Sequence, residues 1–361
     1  MWLYIEREAA RHRPADGNRL PTIRQVAEDL DVSVRTVQSV FQKLARRGTI
    51  RSEVGKGSFL VTSSARNRDL LDIALGLHAT LDVFDEQWHQ QISNGILRAA
   101  AQGRPRIKLL PLAHRLELPE ATEDLLNEWR RVDGLILFPF PSGRKIRQVY
   151  ESNGKPVVEL NPPSDAATTD FVAPDYFEAS RRIAHAWRET GRTHVALMLH
   201  APLDRSSSNR ARLSGLVNGL GVKMGREIAF QMIQADAARE ESGYRAMAQF
   251  LEKNGKRVDA VYCVADLQAL GALRALKERG WRVPEDVSLV GGTGMDLSAT
   301  GCPGLTRMRQ PLRQIGEALV HLLRRRIREE RPVPGVVLEA PWIGGETTRP
   351  EENGMLGIET R

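Results

Sequence analysis

The sequence predicts a multidomain protein, with a small α+β domain over residues 1–62 followed by a larger two-lobed α/β domain. Two observations support this division. Apolar residues show helical spacing within the first 62 residues, whereas short apolar runs alternate with helical segments after that point. The chain has 361 residues, which is enough for two or three domains of about 100 to 200 residues each.

Composition and charge are those of a soluble globular protein with a basic amino-terminal part. Hydrophobic residues make up 41% and charged residues 27%. Residues 1–62 hold 11 Lys or Arg and 7 Asp or Glu, so they supply +4 of the net charge of +7 and favour a polyanionic partner. The start lacks an export signal, and no apolar run reaches the ~18 residues needed to span a bilayer. We therefore expect a cytoplasmic protein with no membrane partner.

Metal, cofactor and catalytic motifs are absent from the sequence. Its two cysteines, Cys263 and Cys302, form neither a disulfide framework nor a metal-ligand spacing. The eight histidines are scattered without an i, i+4 pair. The sequence has no nucleophile elbow, P-loop, dinucleotide-binding glycine motif or HExxH. These observations predict no metal, no cofactor and no enzymatic activity.

The amino-terminal domain begins with a pattern typical of two short helices joined by a tight turn. Thr22 and Gln25 have the spacing of a capping box, which begins the first helix. Asp31 tolerates the left-handed backbone of a tight turn, and Ser33 is placed to cap a second helix over residues 34–47. This is a helix-turn-helix, a motif whose second helix enters the major groove of DNA.

A hairpin with a basic tip is predicted next, because extended stretches flank Gly55, Lys56 and Gly57. A helix-turn-helix followed by such a hairpin is a winged helix-turn-helix. The alternative is a small amphipathic helical domain with a solvated charged face.

Residues 20–61 resemble the GntR family of bacterial transcription regulators, with LPTIRQVAEDLDVSVRTVQSVFQKLARRG followed by GKGSFLV. The resemblance implies that DNA is contacted by the first helix, the start of the second helix and the wing, through Arg24, Ser33, Arg35, Thr36, Gln38, Gly55 and Lys56. Val34 and Gln38 stand where the family usually has Arg. Arg favours guanine and Gln favours adenine, so the operator cannot be copied from the family.

After a linker over residues 63–72, continuous apolar runs alternate with helical segments, which predicts buried parallel strands with crossover helices. Eight such strands are too many for one small sheet and favour two lobes, although one large sheet is an alternative. The runs cover residues 73–77, 107–112, 134–138, 156–160, 195–199, 228–233, 260–265 and 288–292.

Residues 71–348 resemble the effector domain of LacI/GalR regulators and the periplasmic sugar-binding proteins. The resemblance is carried by VDGLILFP, RARLSGL, AVYCVADLQALGALRALKERGWRVPEDVSLVGG and PGLTRMRQPLRQIGEALVHLL. It implies a two-lobed, periplasmic-binding-protein-like domain over residues 73–348, with three crossings between the lobes, a ligand in the cleft and a tail over residues 349–361. A GntR-type DNA-binding domain joined to such a sensor is the arrangement of the arabinose-repressor group.

The resemblance also implies an effector site. Arg212 is expected to bind a hydroxyl or carboxylate, and Asp266 and Thr293 occupy ligand-facing positions. Two polar groups typical of the family are replaced, by Ala265 and by Thr293. This predicts a small carbohydrate-like effector other than the simple hexoses, and a modified sugar or an acidic sugar that Arg212 can hold through two bonds are the candidates.

Together these patterns predict a repressor that binds double-stranded operator DNA as a homodimer and is controlled by its effector. Helix 311–328 is expected to close the first lobe outside the ligand cleft. Three alternatives remain: a sugar-binding protein without a regulatory role, a regulator that has lost effector binding, and an enzyme.

Overall fold

The computed structural model describes the chain in segments that fall into two compact units. These units are Met1–Leu71 with Gly103–Pro105, and Asp72–Gln102 with Arg106–Arg361. Residues 63–71 of the predicted linker lie outside the described residues. The described residues are 19–46, 50–53, 57–60, 72–77, 83–101, 106–111, 132–139, 143–152, 154–162, 167–203, 206–221, 229–254, 257–298 and 304–358.

Within its described residues, the first unit has two helices followed by an antiparallel pair of strands. The elements are α1 (Ile23–Asp29), α2 (Val34–Arg46), β1 (Ile50–Glu53) and β2 (Gly57–Leu60). In the strand pair, Ile50 lies opposite Leu60 and Glu53 opposite Gly57. The helices and the strand pair share a core of buried side chains, namely Leu20, Val26, Ala27, Val37, Phe41 and Ile50.

The local signals around the first helix behave as the sequence predicts. The Thr22 amide donates to the Gln25 side chain at 2.9 Å, and the Gln25 amide donates back to the Thr22 hydroxyl at 3.3 Å, which is a capping box. Asp31 has φ of 50°, so the turn between the helices requires a left-handed residue. Ser33 accepts a hydrogen bond from the Thr36 amide at 3.1 Å and caps α2.

The second unit has two lobes, each built on a six-stranded sheet, so the alternative of one large sheet is wrong. The strands are β3 (Asp72–Leu77), β4 (Arg106–Pro111), β5 (Gly134–Leu137), β6 (Val157–Leu160), β7 (Phe171–Pro174), β8 (His194–Leu199), β9 (Ala229–Gln234), β10 (Ala260–Cys263), β11 (Ser288–Gly291), β12 (Thr306–Met308), β13 (Val336–Leu338) and β14 (Trp342–Ile343). The first lobe has strand order β13-β7-β6-β5-β3-β4 and the second β14-β12-β11-β10-β8-β9. All neighbouring strands are parallel except β12 and β14, which are antiparallel.

Helices cover both sheets. Those in the described residues are α3 (Val83–Ala101), α4 (Gly143–Ser152), α5 (Tyr176–Glu189), α6 (Ser207–Leu220), α7 (Glu240–Asn254), α8 (Asp266–Glu278), α9 (Leu312–Glu329) and α10 (Pro350–Met355). Within the described part of the chain, no helix is both long and apolar enough to cross a membrane.

The chain crosses between the lobes three times, after β7, after β12 and after β13. Helix α9 returns to the first lobe and packs on α3, as predicted for helix 311–328. This packing is backbone to backbone. A Cβ atom on Gly95 would lie 2.1 Å from the Arg313 carbonyl, and one on Gly316 would lie 2.1 Å from the Ile92 carbonyl.

The residues predicted as a tail include α10, which is held on the second lobe by a buried ion pair. The Glu352 carboxylate, 0% exposed, accepts hydrogen bonds from the Arg192 guanidinium at 3.1 Å and the Ser288 hydroxyl at 2.8 Å. The Thr190 hydroxyl at 3.1 Å and the Arg349 amide at 2.9 Å complete its partners. Glu352 therefore satisfies its buried charge and joins α10 to the rest of the lobe.

We predict that Glu352→Ala lowers the free energy of unfolding by about 3 to 5 kcal/mol, because it leaves the Arg192 charge buried without its partner. Urea denaturation of the full chain measures this loss. Glu351→Ala is the matched control, since Glu351 is exposed on the same helix turn, and its effect should stay within about 0.5 kcal/mol. Equal effects of the two substitutions would contradict the assignment.

Candidate functional site

The outer face of α2 carries the side chains predicted to read DNA. Arg35, Thr36 and Gln38 are exposed, whereas Val37 and Phe41 of the same helix are buried against the core. The helix therefore presents a polar and cationic face to solvent. Val34 is also on the exposed surface, with 48% of its area accessible, and it adds an apolar contact point at the start of the helix.

The remaining predicted DNA-contact residues are placed as follows. Arg24 is exposed on α1, and Ser33 is exposed at the start of α2, where its hydroxyl lies 2.7 Å from the Thr36 hydroxyl. Their exposure leaves them accessible to a large ligand. Gly55 and Lys56 lie outside the described residues.

Sequence reasoning missed Arg19, which lies beside the strand pair. Arg19 pairs with Phe59 in an isolated bridge, and the Leu20 amide donates to the Ser58 carbonyl at 2.7 Å. A Cβ atom on Gly57 would lie 3.1 Å from the Arg19 side-chain nitrogen, and Gly57 has φ of 111°, a conformation that glycine adopts readily. No periodic pattern marks Arg19, because its contacts come from backbone pairing with a distant strand.

A second candidate site lies at the carboxyl ends of the second lobe's strands, where open α/β sheets bind ligands. Arg212 of α6 is 4% exposed, and its guanidinium carbon is 4.0 Å from the centre of the Tyr176 ring. Its terminal nitrogen donates to the Gly292 carbonyl at 3.2 Å. Its Nε is buried, with no hydrogen-bond partner among the described residues. Arg212 thus keeps one charged donor that a ligand could use.

Asp266 and Thr293, also predicted for the effector site, bond to each other. The Asp266 amide donates to the Thr293 hydroxyl at 3.1 Å, and the Asp266 carboxylate accepts from the Thr293 amide at 3.0 Å and from the Met295 amide at 2.7 Å. Thr293 thereby supplies the cap of α8 that Ala265 cannot provide. Both side chains shape the loop after β11.

The electrostatics of these groups follow from burial. Burial raises the pKa of Asp266, and the backbone donors of Thr293 and Met295 oppose that rise. Burial also raises the pKa of the Tyr176 hydroxyl, against the effect of the nearby Arg212. Tyr176 therefore stays neutral and offers Arg212 an aromatic face, which stabilises the cation.

Two further residues of this site, Trp88 and Gln310, were missed by sequence reasoning. The Trp88 indole of α3 donates to the Gln310 side-chain oxygen at 3.1 Å, and the Gln310 amide nitrogen donates to the Gly292 carbonyl at 3.0 Å. His89 stacks on Phe138 beside Trp88, with ring centres 5.5 Å apart. In the sequence, Trp88 belongs to a helical apolar stripe and Gln310 to a stretch without a polar motif, so neither pattern indicates a site.

Metal and thiol chemistry find no support in the part of the chain that the structure describes. No group of three or more His, Cys, Asp or Glu there could hold a metal ion. Burial raises the pKa of the Cys263 thiol far above its usual range, which removes its reactivity at neutral pH.

Comparison with known proteins agrees with this architecture. Residues 184–348 match the family model of the periplasmic binding protein-like domain. The HTH-type transcriptional repressor PurR of Escherichia coli O1:K1 / APEC is 28% identical over 326 residues, covering 87% of this chain and 93% of that protein.

Two solved structures are similar in fold. A LacI family transcriptional regulator from Enterococcus faecium with bound ribose superposes with a TM-score of 0.61 at 22% identity, over 77% of this chain and 99% of that one. The CelR–cellobiose complex, a transcriptional regulator, superposes with a TM-score of 0.63 at 23% identity, over 91% of this chain and 99% of that one.

These comparisons show that residues 184–348 match a periplasmic binding protein-like domain and that the chain is similar over most of its length to a transcriptional repressor. The relatives are regulators rather than enzymes. The Enterococcus faecium regulator is named as a LacI family protein, whereas residues 20–61 were expected to be of the GntR type, so the GntR assignment stays a prediction.

We predict that Asp266→Asn lowers the free energy of unfolding by about 1 to 3 kcal/mol, because an amide NH₂ would then face one of the two backbone donors. The expected loss is measured by urea denaturation. Asp236→Asn serves as control, since the Asp236 side chain is 82% exposed and should change stability by less than about 0.5 kcal/mol. An Asp266→Asn variant as stable as the wild type would show that these bonds contribute nothing.

Proposed function

We propose that the chain is a cytoplasmic repressor that binds operator DNA as a homodimer through a GntR-type winged helix-turn-helix in residues 1–62. Its release from DNA is controlled by a small carbohydrate-like effector in the cleft of the second unit. The observation that carries the proposal is the exposed cationic face of α2 on a chain that also holds a periplasmic binding protein-like domain.

The DNA-binding part is supported by three features of the first unit. Helix α2 follows α1 after a tight turn at Asp31, and its exposed face holds Arg35 and Gln38. An antiparallel strand pair comes directly after α2, in the place of a wing. The alternative is a helix-turn-helix of the kind found in the LacI/GalR relatives, and the strand pair favours the winged form.

The effector part is supported by the buried guanidinium of Arg212. A buried charged donor without a partner is costly, and a ligand with a carboxylate removes that cost by accepting from it. The polar atoms of Asp266 and Thr293 are engaged with each other, so they contribute to the shape of the site rather than to a dense set of sugar hydroxyl contacts. The related regulators of known structure carry ribose or cellobiose. A sugar acid is therefore our proposed effector class.

We predict that operator affinity falls steeply with salt, by about 10³- to 10⁵-fold between 50 and 200 mM, if a dimer makes six to ten phosphate contacts. Arg35→Ala should cost about 1 to 3 kcal/mol of binding free energy on a site selected from genomic fragments, and relax preference at one base pair. Gel-shift titration and footprinting measure both effects. Arg331→Ala is the control, since Arg331 is exposed in the effector domain and should leave affinity unchanged. An unchanged footprint and affinity for Arg35→Ala would remove Arg35 from the interface.

For the effector, we predict that uronic and aldonic acids raise the melting temperature of the full chain more than the matching neutral sugars do. Arg212→Ala should abolish that shift, because it removes the charge that holds the carboxylate. Arg274→Ala is the control, since this arginine pairs with Glu240 and Glu241 on the outer surface of the second lobe. A shift that survives Arg212→Ala would exclude Arg212 as the anchor. No shift at millimolar concentration would favour a regulator that has lost effector binding.

A further inference from the structure

The carbonyl oxygen of Gly292 accepts two hydrogen bonds, from Arg212 at 3.2 Å and from the Gln310 amide nitrogen at 3.0 Å. A carbonyl has two lone pairs, so these donors use its full capacity. Gln310 is 6% exposed and lies on the crossing between β12 and α9. The candidate effector anchor and a residue of an interlobe crossing therefore share one acceptor.

The other end of the Gln310 side chain reaches the first lobe. Its oxygen accepts from the Trp88 indole at 3.1 Å and from the Tyr176 hydroxyl at 3.4 Å. Trp88 belongs to the first lobe, whereas Tyr176 and Gly292 belong to the second. The partners also fix the orientation of the amide. A flipped amide would place its NH₂ against the Trp88 donor and its oxygen against the Gly292 carbonyl.

We propose that Gln310 is a positioning residue that links the placement of Arg212 to the closure of the two lobes. Separation of the lobes withdraws Trp88 and leaves the buried Gln310 oxygen with only the longer bond from Tyr176. Movement of Arg212 toward a ligand leaves Gln310 as the single donor to Gly292. Separation of the lobes changes the hydrogen bonds of Gln310, and so does movement of Arg212 away from Gly292. Lobe closure and the position of Arg212 are therefore coupled through Gln310. The link to an effector rests on the proposed function, whereas the link to closure does not.

A second bond across the lobes limits the expected size of the effect. The Ser207 hydroxyl of α6 donates to the Pro162 carbonyl, which follows β6, at 2.7 Å. Loss of the Gln310 contact alone should therefore shift the balance between closed and open forms without removing closure. One hydrogen bond of ordinary net strength corresponds to a change of about 2- to 10-fold in that equilibrium.

The test measures the distance between the lobes in the ligand-free full chain by pulsed EPR. Spin labels are placed at Ser152→Cys in the first lobe and Gln249→Cys in the second, both exposed positions, in a Cys302→Ser background. Labelled protein is diluted with unlabelled chain so that distances between protomers do not contribute. We expect Gln310→Leu to raise the open-to-closed ratio by about 2- to 10-fold. Adding Ser207→Ala should raise it further.

Two comparisons make the result decisive. Gln314→Leu makes the same change at an exposed position of α9 and should leave the distances unchanged. Trp88→Phe removes the indole donor of the first lobe and leaves Gln310 in place. It should shift the interlobe distances in the same direction as Gln310→Leu does. It therefore tests the proposal even if Gln310→Leu fails to fold. Folded Gln310→Leu or Trp88→Phe variants with the wild-type distance distribution would overturn the proposal. Because the measurement uses neither DNA nor effector, failure of operator binding would count against the proposed function alone.

Discussion

The backbone contact between α3 and α9 is the constraint on which the two-lobed unit depends. Gly95 and Gly316 have no side chains, and each lies so close to a carbonyl of the other helix that a Cβ atom would clash with it. Such close packing fixes α9 on the first lobe although the preceding strand, β12, belongs to the second. The crossing between them must then pass the cleft, and this passage places Gln310 between Trp88 and Gly292.

Buried charge in the second lobe is used in two different ways. Glu352 and Asp266 have their oxygens bonded to groups of their own lobe, and these bonds hold α10 and the loop after β11 in place. Arg212 is equally buried but keeps its Nε without a partner among the described residues. Ionised groups that are fully bonded stabilise a structure, whereas an incompletely bonded one marks a place where a ligand can contribute.

Much of the fold could be predicted from the sequence because its signals are local. The capping box at Thr22 and the left-handed turn at Asp31 depend on neighbouring residues, and the eight short apolar runs are all strands in the structure. The strands that were missed, β7, β12, β13 and β14, have two to four residues and take their places in the sheets through pairing with other strands, which no local pattern encodes. The site was predicted only in part for the same reason, since Gln310 and Trp88 are 222 positions apart and acquire their roles through a contact that no local pattern encodes.

The hydrogen bonds between Asp266 and Thr293 preserve the cap at the start of α8 although position 265 is an alanine. The same bonds occupy polar groups of Asp266 and Thr293 that could otherwise bind a ligand. Ala265 has no side-chain atom to cap α8, and Thr293 supplies the missing hydroxyl from the loop after the next strand. The carboxylate of Asp266 is then drawn to the Thr293 and Met295 amides, so it is held where a ligand would otherwise compete for it. Because the Asp266 carboxylate is hydrogen-bonded within the protein, it does not need a donor from a ligand. The Arg212 Nε has no partner among the described residues, so it is the charged donor of this pocket that a ligand can fill. A ligand carboxylate would accept from the Arg212 Nε more strongly than a neutral hydroxyl would.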